Sequence, residues 1–139
     1  MSIHPLAEAG YLVIEPFVDT LEEPHWMRAD GDDLLKFVTP ILGPTATLIV
    51  HRAASYFAQG DTWLQFDILD LALTFGLGSQ LSRHAPLSRA IERIDRFGFG
   101  QLDMRTPTLR VRTAIPPIPR RQAERIPGYL SEECPYIVR

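Results

Sequence analysis

Residues 84–98 read His84-Ala85-Pro86-Leu87-Ser88-Arg89-Ala90-Ile91-Glu92-Arg93-Ile94-Asp95-Arg96-Phe97-Gly98, and the spacing of their apolar side chains guides the reading of the rest of the chain. Leu87, Ala90, Ile91, Ile94 and Phe97 recur at helical intervals, which predicts a helix over 84–97 with one continuous apolar face. Arg89, Glu92 and Arg96 point the opposite way, with Ser88 and Arg93 flanking them. Gly98 is placed to end the helix in the left-handed conformation, with Phe99 folding back on Ile94. A helix divided in this way offers one face to a scaffold. Its other face carries arginine forks that suit guanine edges and phosphates.

Working outward, Ile68, Leu71, Ala72 and Phe75 mark an earlier helix that Asp67 is suited to cap. Gly76-Leu77-Gly78-Ser79 ends it, and Trp63 to Phe66 is a brief extended piece before it. A longer helix is expected from Pro44 to about Gln59, closed by Gly60. Asp32 to Leu42 reads as a short helix broken by Gly43-Pro44. Downstream, Gln101–Met104 and Thr108–Ala114 flank Arg105-Thr106-Pro107 and predict a hairpin. Leu109, Val111 and Thr113 share one of its faces, and Arg110 and Arg112 share the other. Tyr11-Leu12-Val13-Ile14 is a short strand candidate within a leader, residues 1–31. Ile115-Pro116-Pro117-Ile118-Pro119 predicts an extended arm, with a short helix over Arg120–Ile126 and an apolar end, Tyr136-Ile137-Val138, able to dock.

From about Gly43 to Ala114 the order helix, strand, helix, helix, hairpin resembles the winged helix-turn-helix superfamily. Several stretches are also similar to small, largely uncharacterised winged-helix proteins of high-GC actinobacteria. They are Leu42-Gly43-Pro44-Thr45, Gly76-Leu77-Gly78, Ala85-Pro86-Leu87 through Arg96-Phe97-Gly98, and Leu109-Arg110-Val111-Arg112 ahead of Pro116-Pro117. The resemblance implies a mainly α fold with a small β-hairpin wing. Its winged helix-turn-helix domain would span 32–114, with an N-terminal extension (1–31) and a proline-rich C-terminal arm (115–139). It further implies a DNA-binding protein that uses helix 84–97 and the 101–114 wing, with a role in transcription regulation. Double-stranded DNA is then the expected partner and a homodimer the expected assembly. Arg83, His84, Ser88, Arg89, Arg93 and Arg96 would face the groove or its phosphates, and Arg105, Arg110 and Arg112 the backbone. The alternative is a non-enzymatic protein–protein interaction module using this fold as scaffold: an adaptor, an assembly subunit, or a phage or mobile-element protein that binds a host factor.

The bulk sequence is compatible with either reading. The chain has 139 residues, 45% hydrophobic and 22% charged, and a formal net charge of −3. That charge is divided unevenly: residues 1–80 hold eleven acids against Arg28, Lys36 and Arg52, whereas residues 81–139 hold eleven arginines against six acids. A chain divided like this can present a basic face despite its acidic total. The acids of the leader, Glu8, Glu15, Asp19, Glu22 and Glu23, are candidates to cover that face.

No Gly-rich phosphate loop, dinucleotide fingerprint or nucleophile elbow is found, so no enzyme activity, catalytic residue or cofactor is expected. His4, His25, His51 and His84 lack metal-ligand spacing, and Asp30, Asp32 and Asp33 lack the rest of a calcium loop. Cys134 is the single cysteine. A cytoplasmic location is expected, since no apolar run approaches the ~18–20 residues of a membrane span and Met1-Ser2-Ile3-His4-Pro5 lacks the pattern of a secretory signal.

Overall fold

The computed structural model describes residues 5–78 and 85–138. Its elements in chain order are α1 (Pro5–Ala9), β1 (Tyr11–Phe17), β2 (Met27–Arg28), α2 (Asp32–Phe37), α3 (Thr39–Leu42), α4 (Pro44–Ala58), β3 (Leu64–Asp67) and α5 (Ile68–Thr74). They continue with α6 (Pro86–Arg96), β4 (Gly100–Asp103), β5 (Thr108–Arg112), β6 (Ala114–Ile115), α7 (Arg120–Ala123) and α8 (Gly128–Ser131).

The winged-helix expectation is overturned by the sheet. The architecture is α+β, built on a four-stranded mixed sheet in the order β3-β1-β5-β4. A mostly helical fold with a two-stranded wing has no place for it. The strand that makes the difference is β1, from the leader assigned to an extension. It lies between β3, to which it is antiparallel, and β5, to which it is parallel in the register Val13↔Thr108 to Phe17↔Arg112. Leu12 and Ile14 are buried on its inner face, beside Leu109 and Val111 of β5. Removing each of these aliphatic side chains from water contributes ~1.5–3 kcal/mol. The hairpin β4–β5 is therefore half of a sheet and does not project as a free wing. No helix among the described residues is long and apolar enough to cross a membrane.

Several local signals set the elements that cover the inner face of the sheet. Asp67 caps α5, its carboxylate accepting from the N–H of Leu69 at 2.9 Å and of Asp70 at 3.2 Å. The expected helix over Asp32–Leu42 is interrupted at Val38, so that α3 begins anew with Pro40 in its first turn. Gly98, at φ 81°, ends α6: its N–H reaches the carbonyl of Asp95, and the N–H of Phe99 reaches that of Ile94 at 3.0 Å. The chain path places Gly98 where only a residue tolerant of positive φ turns without strain.

The C-terminal segment is packed into the fold, in contrast to the extended arm expected from its prolines. β6 pairs with β2, Ile118 bridges Ile137, and Ile115, Ile118, Ile126, Leu130 and Cys134 join one core cluster that also contains Leu6 and Leu12. Leader, middle and tail thus share a single core. The tail is held on α2 by Lys36 Nζ, 2.8 Å from Glu133, by an edge contact between Phe37 and Tyr136, and by Tyr136 Oη donating to the Asp33 carboxylate.

That last bond predicts an alkaline transition. The hydrogen bond to Asp33, then burial, then the negative charge of Asp33 raise the Tyr136 phenol from its usual 10.0 to about 12. A raised pKa means that the contribution to stability is complete below the unfolded-state pKa and is lost as pH rises through the folded-state value. Urea unfolding at stepped pH should therefore show a loss of stability between about pH 10 and 12 that Tyr136→Phe lacks. An identical fall in both proteins would assign the transition to another group.

Candidate nucleic-acid interface

The helix expected to recognise DNA is present as α6. Pro86 occupies its first turn after an extended Ala85, which suits a residue with no N–H and a fixed φ. Leu87, Ala90, Ile91 and Ile94 are buried, and they pack the helix against α4 and against β4 on the inner face of the sheet. Ser88 is buried with them, at 5% exposure. It is therefore withdrawn from the surface and does not face outward as the wheel suggested. Arg89 and Arg96 are exposed.

These two arginines line an open groove of about 450 Å³ whose other wall is Leu42, Gly43, Pro44, Thr45 and Ala46. The wall is the N-terminus of α4, a helix of fifteen residues. No side chain caps it, and Thr47 donates to the carbonyl of Gly43. The partial positive charge of the first turn of a helix thus lies in the same groove as the arginines.

Arg93 also lines the groove, and its role is mixed. Its terminal nitrogen donates to the carbonyl of Ile41 at 3.0 Å, tying α6 to the end of α3, and its guanidinium lies 5.5 Å from the centre of the Phe97 ring. Arg125 stacks on that ring as well, at 5.1 Å. The reason is the path of the tail: Gln122 donates to the Phe97 carbonyl at 2.9 Å and seats α7 beside the end of α6. Exposed Arg120, Arg121 and Arg125 therefore belong to the α6 end of the molecule. They were absent from the expected site. The excess of arginine after residue 81 was the available signal, but the intervening prolines hid where the tail returns.

With Arg93 on Ile41, the basic side chains left without an ion pair to any described residue here are Arg89, Arg96, Arg120, Arg121 and Arg125. Glu92, Asp95 and Glu124 are interspersed, and Asp95 faces the sheet, accepting from the N–H of Leu102 at 3.1 Å.

The hairpin arginines lie elsewhere. Side chains at paired positions of adjacent strands share a face, so Arg110 and Arg112 stand with Glu15 and Phe17 on the outer face of the sheet. Arg110 Nε is 3.5 Å from Glu15. Arg112 is only 18% exposed: it pairs with Asp19 at 2.9 Å, donates to the Gly98 carbonyl at 2.7 Å and covers the Phe17 ring at 4.7 Å. The N–H of Leu21 and the Arg112 guanidinium together hold the Asp19 carboxyl below its usual range. The acidic leader thus neutralises the hairpin and leaves the α6 groove open. Arg105, at the hairpin tip, is 92% exposed and 3.5 Å from Asp103. Arg83 and His84 lie outside the described residues. The fold therefore gathers Arg89, Arg93 and Arg96, adds the tail arginines, sets Arg110 on the outer face of the sheet with Glu15, and ties Arg112 into contacts with Asp19 and the Gly98 carbonyl at the end of α6. Comparison of the chain with family models, with curated proteins and with solved structures gives no match.

Proposed function

We propose that this chain binds the phosphate backbone of duplex DNA in the groove between the N-terminus of α4 and the exposed face of α6, flanked by the arginines of the tail. One observation carries the reading: five exposed guanidinium groups lack an ion pair to any described residue; Arg89 and Arg96 line the groove with the N-terminus of α4, and Arg120, Arg121 and Arg125 belong to the tail segment that Gln122 and Arg125 seat on Phe97, at the end of α6. Arg forks and helix N-termini are the groups that hold phosphate oxygens. Control of transcription, with a homodimer on a two-fold site, is the biological role we attach to this surface.

The test is fluorescence anisotropy of a labelled random-sequence duplex at low and near-physiological salt. Micromolar binding at low salt is expected. Each phosphate neutralised adds about 0.9 to the slope of log affinity against log salt. Four or five contacts therefore predict a loss on the order of 10²–10³ between about 50 and 200 mM salt. Absence of binding at low salt, or binding indifferent to salt, rejects the reading. The second reading, a protein-binding module, is favoured by exposed apolar residues away from this groove: Leu48 on α4, Trp63 before β3, and Leu69 and Leu73 on α5. Salt-indifferent capture of a protein would favour it.

A further inference from the structure

We propose that the cavity between α4, α5 and the inner face of β1 and β3 is a binding site for a small monocarboxylate with a compact apolar body. The cavity has a volume of about 140 Å³ and is walled by Ile14, Ile49, Leu64, Phe66, Leu71 and Phe75. A space of about this volume accommodates an apolar body about as large as benzene. Its polar groups are concentrated at one place. Arg52 and Tyr56, one helical turn apart on α4, line both this cavity and a wider adjoining cleft of about 510 Å³, as do Thr74 and Phe75. They stand where the two spaces meet.

Arg52 makes no ion pair with any described residue, and its guanidinium is 5.8 Å from the centre of the Tyr56 ring. In the adjoining cleft, His51 Nε2 is buried without a hydrogen-bond partner. The junction thus presents a guanidinium without a carboxylate partner among the described residues, beside Tyr56 and Thr74, whereas the wall behind it is apolar. A carboxylate supplies the planar, bidentate acceptor that matches a guanidinium, and a ring-sized apolar body fills the interior. A single cation at the mouth balances one negative charge. This site shares no residue with the arginine groove of α6 and does not depend on the nucleic-acid reading.

The test uses the whole chain with labelled methyl groups, titrated with benzoate and with benzyl alcohol, its neutral counterpart. Saturable shifts at the methyls of Ile14, Ile49, Leu64 and Leu71 are expected with benzoate, together with binding of benzyl alcohol at least about tenfold weaker. Arg52→Gln should remove that preference while the spectrum of the folded protein persists, because Arg52 is exposed. No saturable shift at these methyls, equal binding of the two compounds, or undiminished benzoate binding by the folded Arg52→Gln protein would overturn the proposal. The comparison of the two compounds is made on the unaltered protein, so it decides even if the variant does not fold.

Discussion

Gly100→Ala is expected to destabilise the protein by about 3 kcal/mol, lowering the thermal midpoint by about 10 °C. A Cβ at this position would lie 2.5 Å from the carbonyl oxygen of Arg110 and 2.9 Å from Cγ2 of Ile94. The first obstacle is backbone of the neighbouring strand. It can retreat only by opening the β4–β5 ladder, in which Gly100 pairs with Val111 and Gln101 with Arg110. The second is a side chain with 0% exposure in the last turn of the buried face of α6, so it has no free space into which to turn. The missing Cβ therefore sets how closely α6 lies on the sheet, and with it the position of the arginine groove. Gly128→Ala is the control, because a Cβ there meets nothing within 4 Å; a change within about 0.5 kcal/mol is expected. Chemical denaturation of both variants checks the prediction. Equal stabilities would show that β4 and α6 are not packed at this distance.

The close approach at Gly100 also shows where sequence reading is strong and where it ends. The apolar period of α6, the glycine turn at Gly98 and the cap at Asp67 are local: each is fixed by residues within a few positions, and each is legible. So is the pairing of β4 with β5, whose strands are joined by a short turn. The pairing of β1 with β5 joins Val13 to Thr108, and nothing in the run Tyr11-Leu12-Val13-Ile14 names a distant partner. A strand inserted between β3 and β5 changes the fold without changing the order of the elements around it, which is why the winged-helix pattern fitted the sequence and failed in three dimensions. The prolines of residues 116–119 had a similar effect. They dictate extended backbone, but Ile115 and Ile118 decide that the extended backbone is buried.

The candidate site was legible to the same degree. A helical wheel places Arg89 and Arg96 outward because it needs only the period of α6. It cannot place Ser88, at the boundary of the two faces, because the neighbouring elements decide how far burial extends around the helix. Nor can it foresee that Arg112 meets Asp19, a contact that requires β1 beside β5, or that the tail brings Arg125 onto Phe97.

These placements make the charge-reversed variant Arg89→Glu/Arg96→Glu the most incisive functional experiment. Its expected result is a fall in duplex affinity of about 100-fold or more at low salt, with the unfolding midpoint nearly unchanged. The stability expectation follows from exposure: neither side chain has an ion pair with a described residue to lose, and surface substitutions of this kind change stability by about 0.5 kcal/mol or less. The affinity expectation follows from the loss of two phosphate contacts and the introduction of two repelling charges beside them. Neutral replacement, Arg89→Gln/Arg96→Gln, removes the attraction alone and should lower the salt slope by about 1.8. Arg110→Glu is the matching control. It reverses one charge on the outer face, where Arg110 meets Glu15, and should leave duplex binding almost intact while costing a little stability from like charges on adjacent strands. Should Arg110→Glu weaken binding as much as the α6 reversal does, the duplex would lie on the outer face of the sheet, and the groove beside α4 would not be its site.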